Sequence, residues 1–395
     1  MKRKGHHCNE HGFYRCAPTI VAMAQTFDIC IRGDGIVGRT LALLLARQHL
    51  QVGLVTQANN PKADVRAYSL NSASRDALSS VRCWPDALHA TPVMDMQVWG
   101  DEGGSVHFES PTPDGLTWIV DVPVLEAQLG EALRYQHNIT LIDAPHAAQL
   151  TVVCEGRNSQ TRHDLQVETE VLPYQQTAVA TRIRASTPHG QKALQWFAHQ
   201  SHGLEILALL PLGGAKGDSY GVVWSLPPVR AQEVLALDSE NFTSILHDAS
   251  HGAAGNFALI GERASWPLQL AHVKQWAGTF ADGHAWVLAG DAAHSIHPLA
   301  GLGLNLGIAD AVELAHVLQA RQGSDYWRSV GDRHLMRRYE RARKAGILPA
   351  WAACDGLQRL FDHPNTSVQA LRNWGMNSFD ALAPVKHWTM QQAMR

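Results

Sequence analysis

The feature that most constrains the fold is a glycine pattern that lies between a short apolar run and a helical pattern. Residues 27–32 read FDICIR, GDGIVG follows at residues 33–38, and leucines then recur at helical spacing. A strand, a GxGxxG turn and a helix in this order are typical of a dinucleotide-binding unit. Gly33 makes the turn, Gly35 lets a pyrophosphate approach the backbone, and Gly38 lets helix and strand pack closely. The sequence therefore predicts a parallel α/β sheet that binds a dinucleotide.

A second glycine-spaced stretch, GDAAHSIHPLAGLGLNLGIAD, covers residues 290–310. It follows the apolar run at residues 285–289 and passes into a helical pattern. Closely spaced glycines are entropically unfavourable in packed elements, and they are useful where the backbone must lie against a ligand. N–H groups at the start of that helix, residues 302–305, present partial positive charge to an anion. The alternative is an ordinary glycine-rich loop with Asp291 as a cap.

Length and composition bound the class of protein. With 395 residues the chain is too long for one hydrophobic core and suggests two domains. A formal net charge of −3 without long basic runs argues against nucleic acid as a partner. No run approaches the roughly 18 apolar residues of a membrane-spanning helix. Six cysteines without paired spacing favour a reduced, cytoplasmic setting, and the low charged content of 17% is compatible with peripheral contact with the inner membrane.

Residues 1–26 read as an extension that is separate from the fold. The basic start and the apolar run at residues 17–24 imitate a signal peptide only faintly, because a polar stretch separates them. Histidines and cysteines between residues 6 and 16 include metal-ligand types. We prefer either a disordered extension or an over-long gene start with Met23 as the natural first residue, and we predict no metal site.

Five segments together resemble the group A FAD-dependent aromatic hydroxylases, the para-hydroxybenzoate hydroxylase-like superfamily. They are GDGIVG at 33–38, RAYSL at 66–70, CEGRNSQTR at 154–162, the 290–310 stretch and RRYER at 337–341. Within that superfamily the chain is similar to the UbiH/UbiF-type hydroxylases of ubiquinone biosynthesis, over residues 27–395. The resemblance implies an α/β, glutathione-reductase-like FAD-binding domain of Rossmann type. It also implies an inserted antiparallel β-sheet substrate domain and a helical C-terminus.

The resemblance also implies domain boundaries and site residues. The FAD-binding domain would comprise residues 27–92, 118–165 and 275–345, the substrate domain 93–117 and 166–274, and the C-terminal helical region 346–395. Catalytic roles fall on Pro298, Gly301, Leu302 and Gly303, whose backbone would stabilise negative charge on reduced flavin. The cofactor-binding residues would be Gly33, Gly35, Gly38, Thr56, Arg66, Gln128, Gly156, Gly290, Asp291, Leu304 and Asn305. In this family the residue at Asp291 meets the ribityl and pyrophosphate portion of FAD, and the residue at Arg66 reaches the flavin.

Three departures from the family pattern bear on the cofactors. Thr56 stands at the end of the second strand, where the family has an acidic residue for the adenosine ribose. A hydroxyl can still bond a ribose, but without charge assistance. Glu155 replaces the Asp of the third motif, and residues 143–149 replace a β-hairpin of the relatives. These changes predict weaker retention of FAD and less efficient use of NAD(P)H.

The resemblance implies that the chain hydroxylates a phenolic ring, most readily a polyprenylated intermediate of ubiquinone biosynthesis. The chemistry belongs to FAD, whose reduced form takes O2 to a C4a-hydroperoxide. NAD(P)H would be the electron donor, docking transiently on the FAD domain. The resemblance also implies a ubiquinone-biosynthesis complex as a partner. Two alternatives are a hydroxylase of a soluble aromatic substrate and a degenerate, non-catalytic subunit that binds flavin or lipid. His189 is either a pocket acid/base or, as we prefer, a solvated or core residue.

Overall fold

The computed structural model describes residues 26–56, 65–101, 103–214, 216–296, 301–362 and 366–381. These residues form eighteen strands, which in chain order are β1 (Phe27–Arg32), β2 (Val52–Val55), β3 (Ala67–Leu70), β4 (Ala90–Val93), β5 (Asp95–Trp99), β6 (Ser105–Glu109), β7 (Thr117–Asp121), β8 (Ile139–Ile142), β9 (Ala148–Val153), β10 (Thr169–Ala185), β11 (Lys192–Gln200), β12 (Gly203–Leu212), β13 (Ser219–Leu226), β14 (Phe257–Leu259), β15 (Ala264–Val273), β16 (Ala277–Thr279), β17 (Ala285–Leu288) and β18 (His294–Ser295).

The same described ranges form nine α-helices. They are α1 (Ile36–Ala46), α2 (Ser72–Ser80), α3 (Val122–Arg134), α4 (Gln160–Asp164), α5 (Pro228–Ala236), α6 (Ser239–Ala249), α7 (Leu302–Ser324), α8 (Arg333–Asp362) and α9 (Thr366–Ala381). A single 3₁₀ turn covers Gly290–Ala292. No helix in these ranges is long and apolar enough to cross a membrane.

A six-stranded sheet in the order β16-β17-β9-β1-β2-β8 forms the base of the fold. The pairs from β17 to β8 are parallel, and only β16 runs antiparallel to its neighbour. Ile29 and Ile31 of β1, like Val52 and Leu54 of β2, are fully buried. A strand that is covered on both faces has a nearly continuous run of apolar residues, as these two strands do. Helices α1, α3, α7 and α8 contribute side chains to the same core. The predicted α/β fold with a parallel sheet is confirmed.

A nine-stranded sheet, predominantly antiparallel, is inserted into this fold. Its order is β18-β15-β10-β13-β12-β11-β5-β6, with β14 pairing to β10. Helices α5 and α6 cover one face with buried Val234, Phe242 and Leu246. The pair β5–β11 is parallel, an exception to the predicted antiparallel arrangement. The two strands of the parallel pair are separated along the chain by the return through the parallel sheet.

A three-stranded sheet in the order β3-β7-β4 lies between the two larger sheets and was not predicted. Asp121, at the end of β7, accepts a hydrogen bond of 2.6 Å from Nη2 of Arg182 on β10. The same guanidinium donates from Nε to the carbonyl oxygen of Val65 at 3.2 Å. The Arg182 guanidinium therefore connects β7 and the segment that leads into β3 with the nine-stranded sheet. It holds Arg66 beside that sheet.

Helix α9 covers the free edge of the nine-stranded sheet. The backbone N–H of Ser105 donates to Oδ1 of Asn377, and that of His107 donates to Oδ1 of Asp380, each at 2.9 Å. Unpaired N–H groups on an edge strand attract other strands. Side chains of α9 therefore accept hydrogen bonds from the backbone N–H groups of the edge strand β6. The helical C-terminus that the sequence predicts is present, and it also covers this edge of the sheet.

Candidate active site

Three of the predicted motifs and the predicted ribose-binding position follow the carboxyl ends of four neighbouring strands in the parallel sheet. In the sheet order β17, β9, β1 and β2, these ends lead into Gly290, Cys154, Gly33 and Thr56. The carboxyl ends of parallel strands meet at one edge, and ligands of open α/β sheets bind in the crevice outside that edge. Segments that are distant in sequence therefore line one crevice.

The first and third glycines of the 33–38 loop are required by close packing, whereas the second faces open space. Gly33 has a φ of +108°, and an added Cβ would lie 2.5 Å from the carbonyl oxygen of Cys154. At Gly38 an added Cβ would lie 2.0 Å from the carbonyl oxygen of Gly33. At Gly35 it would meet no described atom within 4 Å. The loop thus leaves room for a pyrophosphate at Gly35.

A cavity of about 510 Å³ opens beside this loop, and its lining residues belong to the Gly-loop, α1, the end of β2, α3 and β8. Asp34, Arg39 and Thr56 contribute to its wall. The backbone N–H of Thr56 donates to the carbonyl oxygen of Ile142 at 2.9 Å, and its hydroxyl lies 3.4 Å from the same oxygen. Thr56 thus faces the cavity where a ribose contact was predicted. Its hydroxyl, however, is directed to a backbone carbonyl.

The third motif uses its acidic residue to stabilise the local chain. Glu155 accepts hydrogen bonds from the Ser159 hydroxyl at 2.7 Å, and from the backbone N–H and the hydroxyl of Thr161 at 2.9 and 2.6 Å. The Glu155 carboxylate therefore caps α4 in place of facing the crevice. Gly156, by contrast, has a φ of +76°, and an added Cβ would meet no described atom within 4 Å. The backbone of this motif remains open to a ligand.

Arg162 connects the third motif to the Gly290 turn. Its guanidinium donates to the carbonyl oxygen of Ala292 at 3.0 Å and to that of Arg157 at 2.7 Å. Gly290 has a φ of +62°, a left-handed conformation that favours glycine. Two loops from neighbouring strands are thus joined by one side chain that is itself half-buried.

Asp291 is the acceptor that this turn leaves open. It is exposed, while Gly290 and Ala292 on either side are buried. Its carboxylate has no hydrogen bond to any residue in the described ranges. Although it faces solvent, the protein around it displaces enough water to raise its pKa, and the charges of His294, Arg157 and Arg66 oppose that shift. Exposed yet partly desolvated, the carboxylate lies on the wall of a crevice where a ligand hydroxyl can reach it.

The predicted catalytic loop is described only in part. Pro298 lies outside the described residues. Gly301 precedes α7 with a φ of +62°, and an added Cβ would lie 2.8 Å from Cβ of Ser69. Leu302, Gly303 and Leu304 form the half-buried first turn of α7, and a Cβ on Gly303 would meet no described atom within 4 Å. The N–H groups of a first helical turn lack intrahelical acceptors, so this turn can receive negative charge.

Asn305 was predicted to bind the cofactor, but its side chain is saturated by the protein. Its Nδ2 donates to the carbonyl oxygens of Ser69 and Gly301 at 2.7 and 3.1 Å. Its Oδ1 accepts from the backbone N–H of Asn71 at 2.9 Å and from the Ser74 hydroxyl at 2.7 Å. The amide has no remaining capacity for a ligand. Its effect on the crevice is to hold the start of α7 against β3.

Arg66 and Gln128 differ in their relation to the crevice. Arg66 donates from Nη1 to the hydroxyl of Tyr68 at 3.0 Å, and its charge acts on the carboxylate of Asp291. Gln128 lies on α3 with its carbonyl oxygen accepting a weak 3.9 Å hydrogen bond from Sγ of Cys83. Its Oε1 is buried and has no hydrogen-bond partner among the described residues. A buried orphan acceptor of this kind suits a ligand donor.

Sequence reasoning missed a buried ion cluster behind the Gly290 turn. Asp310 is fully buried and accepts from the N–H of Gly290 at 2.8 Å, from Nε2 of His294 at 2.7 Å and from Nε of Arg343 at 2.6 Å. The ring of His294 stacks on Trp276 at 5.1 Å between centroids. The one sequence signal is that Asp310 closes the 290–310 stretch on a helix face that is otherwise apolar.

The structure also bears on whether His189 is a pocket acid/base or a solvated or core residue. Its Nε2 donates to the carbonyl oxygen of Leu212 at 2.8 Å, and its Nδ1 accepts from the N–H of Gln191 at 3.0 Å. The ring is buried, and burial lowers its pKa. Of the two roles in the preferred interpretation, solvated or core, the burial and the two hydrogen bonds fit the core role. Within the described ranges no group of three or more His, Cys, Asp or Glu side chains is arranged to hold a metal ion, and residues 1–25 lie outside them.

Comparison with known proteins agrees with this geometry. The profile of the FAD binding domain family matches residues 144–348. The chain is 30% identical to the ubiquinone hydroxylase UbiL of Rhodospirillum rubrum, over 95% of this chain and 91% of that protein. It is 26% identical to the 3-demethoxyubiquinol 3-hydroxylase of Escherichia coli, with 94% and 99% covered. Its fold is similar to that of p-nitrophenol 4-monooxygenase PnpA of Pseudomonas putida, with a TM-score of 0.73 at 16% identity, covering 93% of this chain and 98% of that one.

Proposed function

The chain belongs to the FAD binding domain family and is an FAD-dependent monooxygenase, and from this premise we propose that it hydroxylates the phenolic ring of a polyprenylated ubiquinone precursor. The two curated relatives are named as hydroxylases of ubiquinone or of a ubiquinol. O2 and an aromatic ring are the substrates that this class of enzyme requires. The single observation that carries the proposal is the crevice at the ends of β17, β9, β1 and β2.

The residues of that crevice fit the cofactor. Gly35, Gly156 and Gly303 face space that a Cβ would enter without meeting a described atom, which is what a closely approached ligand requires. Bound FAD supplies the electron transfer and oxygen activation. We propose that the Gly35 backbone receives the pyrophosphate and that Asp291 accepts hydroxyls of the ribityl chain. The first turn of α7, at Leu302 and Gly303, then stabilises negative charge on the ring.

An apolar cluster beside the catalytic loop supports a prenylated substrate over a small soluble one. Ile296, the last described residue before that loop, packs together with Trp266 and Trp351 against buried Leu268 and Leu270. The three partly buried side chains suit an apolar chain attached to the ring and help to keep water from the reacting atoms. The cluster joins β10, β15, Ile296 and α8. It therefore lies where the substrate sheet meets the flavin domain.

The electron donor and the location of the substrate belong to the same proposal. We propose that NAD(P)H docks transiently near Gly156, whose backbone is open. The saturation of Glu155 supports the predicted weakness of this contact. Peripheral contact with the membrane that dissolves a polyprenylated substrate is supported by exposed apolar side chains on the C-terminal helices, Leu348 and Trp374. Contact with other proteins of the same pathway is part of this proposal.

The experiment supplies the purified protein with FAD, NAD(P)H and ¹⁸O2, and compares a polyprenylated phenol with its unprenylated counterpart by mass spectrometry. We expect one ¹⁸O in the ring of the prenylated compound and little product from the other. The Asp291→Asn variant should bind less FAD and form less hydroxylated product. Asp282→Asn is the matched control, because Asp282 lies in the turn before β17, at the opposite end of that strand.

Three outcomes separate the alternatives for this function. Preference for the unprenylated ring would overturn the substrate class and leave the monooxygenase in place. Bound FAD without ring oxidation of either compound would favour the non-catalytic subunit. A protein that takes up no FAD would contradict the cofactor assignment itself.

A further inference from the structure

The end of β2 lacks the group that its position requires. An acidic residue at this point of a dinucleotide fold accepts the ribose hydroxyls, and Thr56 stands there instead. Its backbone N–H and its hydroxyl are both directed to the carbonyl oxygen of Ile142. The cavity beside it therefore needs another acceptor if it is to hold an adenosine ribose.

Asp34 supplies a carboxylate to the same cavity from the neighbouring loop. It lies between Gly33 and Gly35 and lines the cavity together with Thr56. Its side chain is only 14% exposed, so a hydrogen bond to it is less weakened by solvent than one at the surface. Apart from an ion pair with Arg39, the Asp34 carboxylate has no polar partner within the described part of the chain.

Arg39 holds this carboxylate in place. Its Nη2 lies 3.5 Å from Oδ2 of Asp34, and its Nη1 donates to the backbone carbonyl oxygen of Glu126 on α3 at 2.9 Å. The guanidinium is thus anchored between α1 and α3 and occupies one oxygen of Asp34. The pairing also offsets the repulsion that an isolated carboxylate would exert on a pyrophosphate at the same loop.

We propose that Asp34, positioned by Arg39, accepts the ribose hydroxyls of the adenosine half of FAD in place of the acidic residue missing from β2. This inference rests on the proposed function only for the identity of the ligand. Glu126 and Glu131 are the other carboxylates on the wall that could compete. Glu126 already interacts with another group of the protein. Glu131 is engaged by Arg134 at 3.2 Å and by the Tyr135 hydroxyl at 3.0 Å, and its side chain is 53% exposed.

The test measures whether the protein recognises the ribose hydroxyls, and it needs no turnover. The full chain is stripped of flavin and titrated calorimetrically with ADP, 2′-deoxy-ADP and 3′-deoxy-ADP. We expect the wild type to lose about tenfold or more in affinity when an accepted hydroxyl is missing, because hydrogen bonds to charged groups are strong. Asp34→Asn should weaken ADP binding by a similar factor and abolish the preference for the hydroxyl.

Two further variants serve as control and as a positioning test. Thr56→Val should keep the preference for the hydroxylated ligand. Arg39→Gln should reduce that preference, and Arg39→Lys should restore part of it, a result that a merely structural role would not produce. Melting of each stripped variant, and its rebinding of FAD, checks that it is folded.

Two results would overturn the inference. The first is an unchanged preference in Asp34→Asn, and the second is a preference that disappears in Thr56→Val. In both cases FAD would still bind, so the proposed function would stand. A wild-type chain that binds neither ADP nor FAD would instead contradict both proposals together.

Discussion

The 290–310 stretch contains two aspartates whose surroundings are opposite. Asp291 is exposed on the crevice, and its carboxylate has no hydrogen bond to a described residue. Asp310 is fully buried and accepts hydrogen bonds from Gly290, His294 and Arg343. The surrounding protein displaces water from the Asp291 carboxylate, and this desolvation raises its pKa. Burial acts in the same direction on Asp310, but the charges of His294 and Arg343 outweigh it and lower the pKa of that carboxyl.

The glycines of the 33–38 loop and of the 290–310 stretch show the same contrast between packing and exposure to the crevice. A Cβ added at Gly38 or Gly301 would collide with the protein, whereas one added at Gly35 or Gly303 would enter open space. The first pair allows elements to pack, and the second pair leaves room for a ligand. The comparison shows that the 290–310 stretch combines a buried anchor, Asp310, with polar groups on the crevice that have no partner within the described residues. The anchor holds those groups in position.

The largest expected effect comes from the buried anchor. Asp310→Asn leaves the charge of Arg343, whose side chain is 12% exposed, without its carboxylate, and it should lower the free energy of unfolding by about 3–5 kcal/mol. Urea unfolding of the flavin-free protein measures this, because a bound ligand would add its own stabilisation. Asp282→Asn, an exposed turn residue, is the control and should change stability by about 0.5 kcal/mol or less. A loss below about 1 kcal/mol for Asp310→Asn would contradict the anchor role.

The pH dependence of that variant sharpens the same prediction. A folded pKa below the ordinary value of about 3.9 means that ionised Asp310 stabilises the fold above that pH. The contribution is lost as the pH falls through the lowered folded pKa. The difference in stability between wild type and Asp310→Asn should therefore shrink below about pH 4. A difference that grows in acid would show that the carboxylate is not stabilised by its partners.

A smaller effect should separate the two glycines of the 33–38 loop. Gly38→Ala brings a Cβ to 2.0 Å from the carbonyl oxygen of Gly33 and should lower stability by roughly 1–3 kcal/mol. Gly35→Ala should change the stability of the flavin-free protein by less than about 1 kcal/mol. It should nevertheless weaken FAD binding on the order of tenfold, as a steric clash with the ligand would. Equal effects of both variants on stability would remove the distinction between packing and ligand glycines.

The smallest effect on stability is expected at the crevice. The raised pKa of Asp291 means that its ionised form disfavours the folded state. Stability therefore falls as the pH rises from the unfolded pKa to the raised folded pKa, and Asp291→Asn removes that loss. We expect a small increase in the melting temperature of the flavin-free variant at neutral pH, with weaker FAD binding. A lower melting temperature would indicate that Asp291 has a structural partner.

Local patterns predicted the elements that line the crevice. The strand, glycine turn and helix at residues 27–46 were recognised because burial on both faces and tight turns leave periodic traces in the sequence. The sheet β3-β7-β4 left no such trace, since its three short strands pair over long separations. The contact of α9 with β6 was not predicted either. Asn377 and Asp380, which make that contact, have no sequence pattern that distinguishes them from other polar residues.

The sequence by itself determined where the backbone must be bare. Glycines at strand ends, such as Gly33 and Gly35, act through steric limits that involve only near neighbours. Only the tertiary structure decided which polar groups remain free to bind. Glu155, Asn305 and Asp310 find partners within the fold, while Asp291 stays open on the crevice. The availability of a carboxylate depends on donors that folding brings from elsewhere in the chain, and a single sequence does not record those distances.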